Sequence, residues 1–147
     1  MLGLNGLPVA TIELKNQFTG QNAVDGRQQY SETRDPREPL FAFKRRALVH
    51  FVADADEVWM TTRLSGRDTL FLPFNQGQIH DGHTAAGNPL NSDGHRTAYL
   101  WERILAKDSW MEILSSFAHL QRDEIYVGGR LLPRETLIFP RYHQLDA

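Results

Sequence analysis

The sequence predicts an α/β chain, a sheet of short strands with helices packed on it, and three observations carry that expectation. Asn5-Gly6 stands between the apolar runs Met1-Leu2-Gly3-Leu4 and Leu7-Pro8-Val9-Ala10-Thr11-Ile12-Glu13-Leu14, which is the arrangement of a tight β-hairpin. Strand candidates follow in series at 47–53, 58–64 and 69–74, separated by Asp54-Ala55-Asp56-Glu57 and Ser65-Gly66-Arg67-Asp68, as in an antiparallel meander. Apolar residues at helical spacing recur over 97–107 and 109–120, the second stretch with Trp110, Ile113, Leu114, Phe117 and Leu120 on one face.

The remaining elements follow in chain order. Met1-Leu2-Gly3-Leu4 reads as the end of a strand, so the chain is expected to begin inside a sheet that is N-terminally incomplete. Beyond Lys15 the pattern turns polar, and Thr19-Gly20-Gln21-Asn22 reads as a turn and cap ahead of a helix over 22–32, with Gly26 its weak point. Asp35-Pro36-Arg37-Glu38-Pro39 is a break, because each proline biases its predecessor away from helix, and a short helix or turn can follow over 40–43. Between 75 and 96, Gly77, Gly82, Gly87 and Gly94 lie among Asn, Asp, His and Pro without apolar periodicity, which predicts a long surface loop. Ser109 and Glu112 fit a capping box. The tail is polar until Thr136-Leu137-Ile138-Phe139, so 1–120 reads as the domain and 121–147 as a connector.

A chain of 147 residues suffices for one hydrophobic core. The absence of Cys removes disulfide frames, thiolate nucleophiles and Cys-based metal sites. No apolar run approaches the length of a membrane span and no basic-apolar leader block opens the sequence, so a cytoplasmic location is the expectation. Sixteen basic residues against 18 acidic ones give a net charge of −2, so a nucleic-acid partner has to be argued from a local patch. Segment 27–46 supplies one: Arg27, Arg34, Arg37, Lys44, Arg45 and Arg46 outnumber Glu32, Asp35 and Glu38, with Lys44-Arg45-Arg46 the best DNA-binding candidate. A solvated, salt-bridged surface is the competing reading.

Chemistry concentrates at Glu13-Leu14-Lys15. Side chains alternate along a strand, so Glu13 and Lys15 share one face while Leu14 points to the other. A carboxylate there suits a hard divalent cation such as Mg²⁺, and a neighbouring ammonium can position or help deprotonate a water attacking phosphorus. An isolated Glu-x-Lys is more often a solvated ion pair. His80, Asp81, His83, Asp93 and His95 are metal-ligand types, yet they lie in a Gly-rich stretch with nothing to fix their geometry, so a mobile polar loop is the favoured reading. His50, inside an apolar strand, reads as a hydrogen-bonded core histidine, and Trp59, Trp101 and Trp110 as packing residues.

Longer stretches carry a resemblance. The run Val9-Ala10-Thr11-Ile12-Glu13-Leu14-Lys15-Asn16-Gln17-Phe18-Thr19-Gly20-Gln21, followed by Arg34-Asp35-Pro36-Arg37-Glu38-Pro39-Leu40-Phe41, Leu48-Val49-His50-Phe51 and Met60-Thr61-Thr62-Arg63-Leu64, resembles the N-terminal nuclease region of the restriction subunit of type I restriction-modification enzymes. The likeness continues through Phe71-Leu72-Pro73-Phe74-Asn75, Gly87-Asn88-Pro89 and Tyr99-Leu100-Trp101-Glu102 to Phe139-Pro140-Arg141-Tyr142-His143-Gln144.

It implies a restriction-endonuclease-like mixed sheet flanked by helices, of the PD-(D/E)xK type, that cuts double-stranded DNA with Mg²⁺. Carried over by position, Glu13 would be a metal ligand and Lys15 the catalytic lysine, with the Leu14 carbonyl completing the coordination. That family takes a further metal-binding Asp from the preceding strand, and no Asp or Glu precedes Glu13 here. It often carries a Gln and a Tyr four apart on the following helix; here Gln28, Gln29 and Tyr30 are adjacent, and Gln29 and Tyr30 are the accessory candidates. Gln144 resembles a residue associated with adenine recognition just before a helicase-type motor, but no Gly-x-x-x-x-Gly-Lys-Ser/Thr phosphate loop occurs, so ATP is expected only in a longer protein. The implied partners are DNA and the modification and specificity subunits. With one carboxylate and one carbonyl, the chain alone is expected to bind Mg²⁺ weakly and to cleave poorly or not at all. The competing function is a non-catalytic DNA-binding or docking module that links nuclease and motor through the helices of 97–120.

Overall fold

The computed structural model describes residues 1–80 and 83–145. Strands β1 (Leu2–Leu4) and β2 (Leu7–Leu14) pair antiparallel around Asn5-Gly6, both with positive φ, as the hairpin signal requires. Parallel neighbours cannot be joined by a tight turn. The connection from β2 to its parallel partner β3 (Val49–Ala53) accordingly carries helix α1 (Ala23–Glu32) and the proline-containing turns after it. From β3 the chain does run as a meander, antiparallel to β4 (Val58–Thr61) and then to β5 (Leu72–Pro73). The result is a five-stranded mixed sheet in the order β1-β2-β3-β4-β5.

Alternation along the strands gives this sheet two different faces. Ala10, Val49, Phe51, Ala53, Val58 and Met60 lie on one, packed with Phe74, Tyr99, Leu100, Ile104, Trp110, Ile113, Phe139 and Tyr142. The other face carries Val52 and packs against Ala23 and Tyr30 of α1, with Phe41 and Leu64 beside them. Thr11 and His50 stand opposite each other on that second face, and Glu13 lies opposite Val52 one step further along.

The second half departs from the sequence expectation. Over 97–107 the regular helix is replaced by a turn and a π-helical segment, Leu100–Ile104, before α2 (Lys107–Glu112) and a second π-helical segment, Ile113–Phe117. Trp110 and Ile113 are buried as their spacing indicated, but the chain becomes extended at Ala118, so Leu120 sits in a strand. The Ser109–Glu112 capping box does not form: the helix starts after Ala106, without a side-chain cap, and Ser109 lies inside its first turn. Within the expected loop 75–96, β6 (Gln78–His80) and β7 (His83–Ala85) form a small hairpin. Residues expected as a polar connector instead hold the longest strands of the chain, β8 (His119–Val127) and β9 (Arg130–Ile138), paired antiparallel as a separate two-stranded hairpin. A last short helix, α3 (Tyr142–Leu145), places Tyr142 in the core.

Candidate active site

Helix α1 is fixed over the C-terminal end of β2 by caps at its own start. Asn22 and Asp25 form a reciprocal capping box, and Asp54, just past the end of β3, accepts a hydrogen bond from the Ala23 N–H at 2.8 Å. Asp54 also accepts from the Asp56 and Glu57 N–H groups, so this buried carboxylate ties the β3–β4 turn to the helix. The approach is close: a Cβ at Gly26 would meet Val52 Cγ1 at 2.4 Å and Lys15 Cγ at 3.3 Å. Glycine at this position lets the helix reach the strand ends.

Beneath that contact, Glu13 and Lys15 share the face that alternation assigned to them, with Lys15 Nζ 3.3 Å from Glu13 Oε1. The Lys15 side chain is 6 % exposed and Glu13 20 %. A buried ammonium is costly unless its charge and its donors are met. Here Nζ also donates to Gln29 Oε1 at 2.5 Å, which places Gln29, of the two accessory candidates, on the lysine itself. Glu13 Oε2 receives Arg34 Nη2 at 3.3 Å, from the turn that follows α1. In the sequence Arg34 stands in the basic segment and in the Arg34-Asp35-Pro36-Arg37 stretch, and nothing in its spacing from Glu13 signals contact.

Tyr30, the residue after Gln29 on α1, is buried. Its hydroxyl and the Thr11 hydroxyl are 2.7 Å apart, and Thr11 Oγ1 is 2.7 Å from His50 Nδ1, a buried hydrogen-bonded chain two residues along β2 from Glu13. Burial pushes the Tyr30 hydroxyl up to about 12, against the lowering effect of its Thr11 hydrogen bond, so it stays protonated at neutral pH. Burial alone pushes His50 down to about 4. His50 is therefore a neutral core histidine, 1 % exposed, and not a surface ligand.

The basic segment is largely committed within the fold. Arg27 lies 4.1 Å from the centroid of the Trp59 ring, and Arg37 is wrapped around Asp35, whose carboxyl it holds down to about 2. Lys44 is paired with Glu135 of β9, which also binds Arg122. Arg45 and Arg46 remain exposed with no ion pair among the described residues.

Gln144 Oε1 accepts from the Arg141 N–H at 2.8 Å, closing its own turn, while the Tyr142 hydroxyl receives Gln76 and Arg103. Among the described residues no three His, Cys, Asp or Glu are grouped to hold a metal ion. Of the five loop residues named above, Asp81 lies outside the described residues; His83, Asp93 and His95 are exposed. Trp110 is buried in the core and Trp59 half-buried under Arg27, but Trp101 is 45 % exposed against His95.

A five-stranded mixed sheet with helices on both faces is a restriction-endonuclease-like α/β arrangement. Residues 1–69, which span β1 to β4 and every side chain of the Glu13 cluster, match the family described as the type I restriction enzyme R protein N terminus. The match covers 69 of the 147 residues. No curated protein and no solved structure matches the chain.

Proposed function

We propose that this chain is the nuclease part of a type I restriction subunit and acts on the backbone of double-stranded DNA. The observation that carries the reading is the Glu13–Lys15 pair, 3.3 Å apart on one sheet face and held at the strand end by Gln29. Glu13 and the Leu14 carbonyl are hard oxygen donors of the type Mg²⁺ takes. Their small number fits a cation that keeps several waters and draws further oxygens from substrate phosphates. When bound, Mg²⁺ would supply the Lewis acid that polarises the phosphodiester and activates water.

The chain's own residues do the rest. Lys15, fixed by two acceptors, holds a positive charge where a phosphoryl oxygen and the attacking water would meet. Tyr30 and Gln29 keep the strand and the lysine in place. Arg45 and Arg46, with Lys44 bridged to Glu135, give phosphate contacts without reading sequence. The target would be chosen by a specificity subunit, with a modification subunit as further partner. ATP would be used by a motor region of a longer protein to which residues 121–147 connect, Gln144 then leaving its own turn for an adenine.

A second reading, a docking module that binds DNA or a motor without cutting, is favoured by one observation: both oxygens of Glu13 already face cations. Plasmid nicking in Mg²⁺ separates the two. The nuclease reading expects slow nicking that is lost in Glu13→Gln and Lys15→Met variants of unchanged circular dichroism. Duplex binding without nicking, or nicking that survives either substitution, favours the module.

A further inference from the structure

Glu13 faces two cations that are not equivalent. Lys15 is 6 % exposed, is packed beneath Gly26, and is held by Gln29. Arg34 is 38 % exposed, lies with its guanidinium 5.9 Å from the centroid of the Phe41 ring, and has Glu13 as its one hydrogen-bond partner among the described residues. A guanidinium has five N–H donors, so most of the donors of Arg34 are left for another acceptor. The backbone under it is fixed: the Arg37 N–H and guanidinium close the next turn on Asp35. The side chain can therefore exchange partners without rearranging the chain.

Charge makes the exchange consequential. One carboxylate against Lys15 and Arg34 leaves the cluster with a net positive charge, which opposes entry of a divalent cation. A DNA phosphate is a better acceptor for Arg34 than a single carboxylate oxygen, because the planar fork can bind it bidentately. We infer that Arg34 is a positioning residue that leaves Glu13 for a DNA phosphate, freeing the outer carboxylate oxygen for a divalent cation; this rests on the functional reading above. DNA and cation then bind with positive coupling, each raising the affinity for the other.

Two measurements on the purified chain test this. In Mn²⁺ titration calorimetry, Arg34→Gln is expected to bind about two- to fivefold more tightly than wild type, the factor that matches an ion pair of this exposure, and Glu13→Gln added to it abolishes the gain. In metal-free duplex binding, Arg34→Gln is expected to weaken affinity and to lower the log-affinity against log-salt slope by about one, with Arg34→Lys keeping most of it. Mn²⁺ affinity in Arg34→Gln that is unchanged, lower or undetectable overturns the inference, and so does unchanged duplex binding. If Arg34→Gln has no effect while nicking still depends on Glu13 and Lys15, Arg34 alone is misassigned. If both effects stand and no variant nicks, the nuclease reading falls and the exchange remains.

Discussion

Gly26 sets how closely α1 can lie on β2 and β3, and the site depends on that distance. Alanine at a helix interior ordinarily gains up to about 1 kcal/mol over glycine. Here the added methyl would meet Val52 Cγ1 at 2.4 Å, and Val52 is fully buried and cannot turn aside. Overpacking of this kind costs about 1–3 kcal/mol, so Gly26→Ala is expected to lower stability in urea unfolding and to loosen the Lys15–Gln29 contact. His50 supplies a pH signature. Its folded-state value of about 4 lies below the ordinary 6.5, so the unfolded chain binds the extra proton between them. The stability contribution is complete above pH 6.5 and drains as pH falls toward 4, by up to about 1.4 kcal/mol per pH unit. Unfolding midpoints at pH 7 and pH 5.5 should converge in His50→Gln and diverge in wild type. Glu13, Lys15 and His50 were legible as single residues because strand alternation and an apolar run fix where they point. Arg34 was not, since its contact spans 21 positions and depends on how the Asp35-Pro36-Arg37 turn closes.

At the scale of elements, strong local codes were readable and tertiary ones were not. Asn5-Gly6 and the Asn22 cap each fix their element through backbone geometry within a few residues, and both elements form where the sequence placed them. The π-helical turns around α2 have no such local signal, whereas the hairpin β8–β9 does have one, the turn Gly128-Gly129 with both φ positive, which the polar composition of the flanking strands masks. β8 exposes nearly all of its residues and reads as plain polar sequence, with Tyr126, Val127, Leu131 and Leu132 exposed near the tip. A two-stranded hairpin with so little core is held mainly by its own ladder and by its ties to the body. Thr62 donates to the Leu137 carbonyl, and Glu135 binds Lys44 and Arg122. Amides of β8 and β9 should therefore exchange with solvent faster than those of β3 by about two orders of magnitude or more. Glu135→Gln should widen that gap; equal protection of the two sheets would show the hairpin to be part of the main core.

Across the whole molecule, the two faces of one sheet divide the labour. One face buries Phe51, Met60, Phe74 and Trp110 and supplies most of the apolar core; the other spends its polar positions on Thr11, Glu13 and Lys15 under a closely seated helix. Placing charge at the rim of that second face, partly open through Glu13 and Arg34, is what turns a packed sheet into a candidate phosphodiester site. The most direct test is a Mg²⁺ titration by calorimetry in the presence of duplex DNA, comparing wild type with Glu13→Gln. Weak, DNA-promoted cation binding is expected in wild type and none in the variant. Equal binding by both, or none by either, would contradict that expectation.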